Sequence, residues 1–155
     1  MNIKYIFYDF DGVMTDNTAL VSENGEELVR VNRSDGLAIS YFKKQGMQQF
    51  ILSTETNPVV SQRAKKLGID CFQGIDDKLI KLKEIMKDKN IQKSEIAYVG
   101  NDLNDIKIIE FLEHTFCPTD SHEKVLDIVK SILGQRGGNG VIMALYNYME
   151  RQKDE

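Results

Sequence analysis

Short apolar runs alternate along this chain with longer stretches whose apolar residues recur at helical spacing. Lys4 to Tyr8 is such a run, which suits a buried parallel strand, and it stops abruptly at Asp9-Phe10-Asp11-Gly12. Between Thr18 and Val31, two segments of β-type character flank Ser22-Glu23-Asn24-Gly25; Asn-Gly is a strong hairpin signal, so a β-hairpin is predicted to project after the first strand. Ser34 can cap a helix running through Leu37, Ile39, Tyr41 and Phe42 to about Gly46. Gln49 to Ser53 reads as a second buried strand. Pro58 then opens a helix that ends at Gly68, and Ile69 to Phe72 forms a short third strand. Asp76 or Asp77 begins a helix with Leu79, Ile80, Leu82, Ile85 and Met86 at core-facing spacing. Ile96 to Val99 is a fourth strand closing on Gly100-Asn101-Asp102. A helix over Ile106 to Phe111, a weak strand near Thr115 and Phe116, and an apolar helix over Val141 to Met149 complete the pattern.

Strands alternating with helices call for an α/β fold: a Rossmann-like, doubly wound parallel sheet with helices on both faces and a projecting β-hairpin. In such sheets ligands bind beyond the carboxyl ends of the strands. Asp9, Ser53 and Asn101 each lie at such an end, and Lys78 opens a neighbouring helix. Four polar clusters far apart in sequence are thereby expected at one place.

Bulk properties narrow the class. A chain of 155 residues is expected to form a single domain over 1–155, and 41% hydrophobic with 28% charged residues is a globular balance. The net charge of −4 argues against non-specific nucleic-acid binding, which rewards a basic face. No run is long enough for a membrane span and no secretory signal is visible, so a cytoplasmic location is the default expectation. Cys71 and Cys117 lack metal-ligand spacing and read as reduced thiols in the core.

Asp9 and Asp11 are two carboxylates one residue apart at the end of a hydrophobic strand. On a continuing strand both point the same way, and two like charges crowd unless a cation lies between them. An ordinary Asp-Gly turn explains Asp11 and Gly12 but leaves Asp9 unexplained. A lone lysine in a first helical turn is ordinarily solvated, and Ser53 can simply cap the next segment. Lys78 and Ser53 gain their meaning from position relative to Asp9.

Asp9-Phe10-Asp11-Gly12-Val13-Met14-Thr15-Asp16 resembles the first motif of the haloacid dehalogenase superfamily, Asp-x-Asp-x-(Val/Thr). Ser53 resembles its second motif, Lys78 its third, and Gly100-Asn101-Asp102 with Asp105 its fourth. The resemblance implies that Asp9 attacks phosphorus to form an aspartyl-phosphate, and that Asp11 acts as general acid and then base. Ser53 and Lys78 would hold the phosphoryl oxygens. A magnesium ion would be bound by Asp9, Asp11 through its carbonyl, Asn101 and Asp102. Many members place an aspartate where this chain has Asn101, so one negative charge is lost; Asp102 and Asp105 remain, and a weaker metal site rather than none is expected.

Only the hairpin fits the gap after the first motif, and one helix and one strand fit between Ser53 and Lys78. No cap domain is therefore expected. That matches the branch resembling 3-deoxy-D-manno-octulosonate 8-phosphate phosphatases, nine-carbon sugar-acid phosphatases and the C-terminal domain of some acylneuraminate cytidylyltransferases. Asn24-Gly25-Glu26-Glu27, Ser34-Asp35-Gly36, Gln73-Gly74 and Arg136-Gly137-Gly138 are further points of resemblance. The branch implies a homotetramer with hairpins packed at its centre. Arg136 to Gly140 resembles a tail that reaches an adjacent site; a flexible linker before the last helix is the other reading. Ser53-Thr54-Glu55 and Lys66 resemble the nine-carbon members. Thr54, Glu55, Arg63, Lys66 and Arg136 are expected on the sugar-acid side of the substrate. The function implied is a magnesium-dependent phosphatase acting on a phosphorylated eight- or nine-carbon sugar acid, a small molecule. The alternative is a catalytically weak oligomerisation module working beside a cytidylyltransferase.

Overall fold

The computed structural model describes residues 2–153. The strands are β1 (Tyr5–Tyr8), β2 (Leu20–Val21), β3 (Glu27–Leu28), β4 (Gln48–Leu52), β5 (Asp70–Phe72), β6 (Ile96–Val99), β7 (His114–Cys117) and β8 (Ser131–Ile132). The helices are α1 (Arg33–Lys44), α2 (Val59–Leu67), α3 (Lys78–Lys89), α4 (Ile106–Phe111), α5 (Glu123–Ile128) and α6 (Val141–Arg151). Six strands pair in parallel in the order β5-β4-β1-β6-β7-β8, while β2 and β3 form a separate antiparallel hairpin. The chain winds outward from β1 through β4 and β5, then returns to the other side of β1 with β6. The reversal of winding falls between β1 and β6, where this fold opens its ligand crevice.

The strands alternate cleanly between two cores. Ile6 and Tyr8 of β1 face α1, α2 and α6, together with Ile51 and Val99. Phe7 faces α3, α4 and α5 with Phe50, Leu52 and Tyr98, and the Phe7 and Phe50 rings stack with centroids 4.6 Å apart. Each such side chain contributes about 1.5–3 kcal/mol on full burial, so the central strands form a stiff platform for whatever follows their ends.

Several sequence expectations need correcting. The cap of α1 is Asn32, not Ser34: Asn32 Oδ1 accepts the Ser34 N–H at 2.9 Å, two residues upstream of the expected position. Asp77, one of the two expected residues, does cap α3, accepting from Leu79 and Ile80. Ile80 is 60% exposed, because the buried stripe of α3 runs through Lys78, Leu82 and Ile85 instead. Two elements, α5 and β8, had no counterpart in the pattern. The hairpin turns at Gly25, whose φ of +79° suits glycine, and no cap domain lies between its base and α1.

Candidate active site

The chain leaves β1 at Asp9, beside Asn101 leaving β6, and Ser53 leaves β4 on the other side. All three are buried, as is Lys78, an unusual state for a lysine. Lys78 Nζ explains itself: it lies 2.9 Å from Asp9 Oδ1 and 2.7 Å from Asp105 Oδ1. Asp105 is fully buried and holds four donors, since Tyr98 Oη and the N–H groups of Asn101 and Asp102 also point at it. From sequence Asp105 was expected only as a remaining carboxylate of the metal site; here it anchors Lys78 and fixes the turn after β6. Gly100 permits this, because a Cβ there would sit 2.6 Å from the Asp105 carboxyl carbon.

Asp9 Oδ1 also accepts the Phe10 N–H at 2.7 Å. Burial first, and then the charge of Asp105, push the Asp9 carboxyl up to about 8, with Lys78 pulling the other way. One ammonium is thus shared between two buried carboxylates, and a second positive charge beside Asp9 would favour its anionic form. Burial pulls the Lys78 pKa down, but its two carboxylate partners outweigh that and leave it raised.

The other oxygen of Asp9 shows where that charge fits. One end of the Asn101 amide lies 3.0 Å from Asp9 Oδ2 and 2.9 Å from the Asp11 carbonyl oxygen. Without a cation the amide nitrogen belongs at that end, donating to both oxygens; with a cation among the three groups the amide oxygen does. Among the described residues no three His, Cys, Asp or Glu side chains gather to hold a metal. The donor set here is one carboxylate, one backbone carbonyl and one amide, which suits a hard, water-retaining cation such as magnesium. Asp102 contributes differently to the turn: its Oδ1 accepts the Leu103 N–H at 2.7 Å.

Asp11 is partly exposed beside Asp9. Burial raises its pKa, and the charges of Glu55 and then Glu27 add to the rise, while Lys78 and the Thr15 hydroxyl oppose it. A carboxyl so placed keeps its proton more readily, which suits a general acid. Thr15 Oγ also accepts the Gly12 N–H at 3.2 Å, so the Asp11 carbonyl, on the opposite side of that peptide, is aimed toward Asn101. Gly12 has φ of +82°, and a Cβ there would strike the other end of the Asn101 amide at 1.9 Å. Neither Thr15 nor Gly12 had been assigned a part in the site from sequence.

The rim residues fall into two groups. Ser53 Oγ accepts the Glu55 N–H at 3.1 Å, and Glu55 Oε1 turns back to accept from Thr56 and Asn57. Thr54 Oγ1 accepts from Asn104 across the crevice at 3.3 Å, and Asn57 donates to Glu27, tying the hairpin to the mouth at 3.2 Å. Arg63 and Lys66 line a cavity of about 470 Å³ with Val31, Arg33, Gly36 and Ser40 between α1 and α2. Three cations and no carboxylate face this cavity. Arg136 is 72% exposed and lies 3.6 Å from Asp120 of its own chain. The segment after it is not a loose linker: Gly137 and Gly138 are buried against residues 12–16 of the same chain, because only residues without a Cβ fit there.

Comparison with known proteins agrees with this geometry. The family model for haloacid dehalogenase-like hydrolases matches residues 38–145. The 3-deoxy-D-manno-octulosonate 8-phosphate phosphatase of Escherichia coli K12 is 30% identical over 158 residues, covering 99% of this chain and 84% of the relative. N-acylneuraminate cytidylyltransferase A of Danio rerio is 29% identical over 90% of this chain, which spans about a third of that relative's length (33%). A solved structure of the octulosonate phosphatase from Moraxella catarrhalis, in complex with magnesium, phosphate and the sugar acid, superposes with a TM-score of 0.92 at 29% identity, covering 97% of this chain and 87% of that one. The chain belongs to the haloacid dehalogenase-like hydrolases.

Proposed function

We propose that the protein is a magnesium-dependent phosphatase that removes the phosphoryl group from a phosphorylated sugar acid of eight or nine carbons. The observation that carries this reading is the convergence of Asp9 Oδ2, the Asp11 carbonyl and the Asn101 amide within 3.0 Å, with Lys78 on the opposite oxygen of Asp9. Asp9 Oδ2, the Asp11 carbonyl oxygen and the Asn101 amide oxygen would hold the magnesium. When bound, it offsets the negative charge of Asp9 and of the phosphate it must approach.

Asp9 attacks phosphorus in line and becomes the aspartyl-phosphate. The Asp11 carboxyl gives its proton to the departing sugar oxygen, then takes one from the water that hydrolyses the intermediate. Lys78, held in place by Asp105, and the Ser53 hydroxyl stabilise the transferring phosphoryl oxygens. Asp105 therefore acts through Lys78 and touches no substrate.

The sugar acid's carboxylate needs a cationic partner away from Asp11, Glu55 and Glu27. The cavity lined by Arg33, Arg63 and Lys66 provides one. Glu55, whose charge reaches Asp11, sits at the mouth and favours hydroxyl groups over a second acid group, which supports a nine-carbon substrate. The exposed apolar positions of the hairpin, Leu20, Val21 and Leu28, support assembly into a homotetramer around the hairpins. A second reading, an oligomerisation module beside a cytidylyltransferase, draws on Asn101 and on the partial match to the Danio rerio protein.

Phosphate release from a panel of eight- and nine-carbon sugar-acid phosphates and from their neutral-sugar counterparts, with and without magnesium, tests the proposal. Magnesium-dependent turnover that favours the acids is expected. Equal rates for acidic and neutral sugars would remove the substrate class, and no turnover on any member would favour the second reading.

A further inference from the structure

The turn that follows Asp11 is held from outside by a segment near the other end of the chain. Gly137 and Gly138 lie so close to it that a Cβ on Gly137 would stand 2.2 Å from the Gly12 carbonyl oxygen, and one on Gly138 would stand 2.6 Å from the Asp16 nitrogen. The Gly138 N–H donates to the Val13 carbonyl at 3.1 Å. The Gly137 N–H points the other way, donating to Asp120 Oδ1 at 2.8 Å, and Asp120 Oδ2 pairs with Arg136 at 3.6 Å. Asp120 lies in the loop after β7, so the glycine segment is clamped between that loop and the first motif.

The path from this clamp to the reacting centre is short. The turn over residues 12–16 carries Thr15, whose hydroxyl accepts the Gly12 N–H and so sets the plane of the Asp11–Gly12 peptide. That peptide supplies the Asp11 carbonyl oxygen, 2.9 Å from the Asn101 amide. Tilting the plane swings the carbonyl off its aim without moving Asp9, which is fixed by β1, Phe10 and Lys78.

We propose that Asp120 and the glycine pair Gly137-Gly138 form a latch that positions the Asp11 carbonyl for the cation, with Asp120 as a positioning residue. Asp120 touches neither substrate nor cation; it acts through Gly137 and the turn. The latch explains why the segment is built of glycine, since backbone must lie directly on backbone. The inference rests on the cation site proposed above.

The test measures manganese binding to the metal-free full-length protein by the loss of the free-ion paramagnetic resonance signal, alongside steady-state phosphate release. Asp120→Ala removes the acceptor for Gly137 and is expected to weaken manganese binding about tenfold or more, tenfold being the low end of what one lost hydrogen bond to a charged acceptor is worth. It should lower kcat while KM stays near that of the parent. Asp120→Asn keeps an acceptor oxygen and should restore both readings. Gly137→Ala, which pushes on the Gly12 carbonyl directly, should weaken manganese binding independently.

A latch that is merely structural would lower thermal stability in Asp120→Ala but leave manganese affinity within about threefold of the parent, less than one hydrogen bond is worth, and that result overturns the proposal. Parent-like manganese binding by Gly137→Ala overturns it as well. A parent protein that binds no manganese would instead remove the cation site itself, so the two failures are distinguishable.

Discussion

Asp35 offers a quantitative check on the packing that holds the last helix in place. Its carboxylate is 2% exposed at the start of α1, and Oδ1 accepts the N–H groups of Ile142 and Met143 in the first turn of α6, at 3.0 and 3.3 Å. Oδ2 is buried with no hydrogen-bond partner. Burial pushes the carboxyl from 3.8 up to about 6, although the two N–H donors and Arg63 favour its charged form. Below the ordinary carboxylate range both folded and unfolded chains carry the proton. Between 3.8 and about 6 only the folded chain does, so this contribution to stability is lost as pH rises through about 6.

The gap corresponds to about 3 kcal/mol in full, of which about 2–2.5 kcal/mol is lost between pH 4 and pH 7. Asp35→Asn keeps an oxygen to accept from α6 but has no charge to bury. Urea unfolding of both proteins from pH 4 to pH 7 isolates Asp35, because every other carboxylate is common to the pair. Relative to the variant, the parent should lose about 2–2.5 kcal/mol across that range, most of it by pH 6.5. A difference between the two curves that stays constant with pH would refute the assignment of a raised, burial-driven pKa to Asp35.

Other perturbations follow from the site itself. Lys78→Met leaves Asp9 and Asp105 buried without their shared cation and should cost about 3–5 kcal/mol, seen as a drop of about 6–20 °C in Tm at pH 7; a shift under about 3 °C would mean that the pair is not held as described. Asn101→Asp restores a charged donor, so the magnesium concentration for half-maximal phosphate release should fall, and an unchanged requirement would remove Asn101 from the cation's donors. Leu20→Lys with Leu28→Lys places charge on the exposed hairpin face and should reduce the mass measured by light scattering; a parent that is already monomeric refutes the assembly.

The sequence made the centre of the molecule readable because its signals there are strong and local. β1, β4 and β6 are apolar runs that stop at polar residues, and a strand buried on both faces leaves no other pattern. Asp9 stood out because a carboxylate at the end of such a run has no ordinary turn to explain it. The errors arose where the signal is short or shared. α5 has six residues and β8 has two, too few for a period to show. Asn32 and Ser34 are both good caps two residues apart, and only tertiary context chooses between them.

The parts of the site that escaped are those that act by tertiary contact. Asp105 lies in a recognisable motif, yet its bonds to Lys78 and Tyr98 span 27 and 7 positions. Gly137 reads as a flexible residue until the Gly12 carbonyl is seen against it. Arg33 became a candidate only because α1 and α2 place it beside Arg63 and Lys66.

The central claim is that Asp9 is the nucleophile of a magnesium-assisted phosphatase. Phosphate release from a sugar-acid phosphate by the parent and by Asp9→Asn, at saturating magnesium, tests it most directly. A neutral amide cannot attack phosphorus, and asparagine keeps the size of the buried side chain and an acceptor oxygen for Lys78 and the Phe10 N–H, so the variant should fold and assemble as the parent does while releasing no phosphate above background. Turnover by a folded Asp9→Asn within about tenfold of the parent would contradict the account.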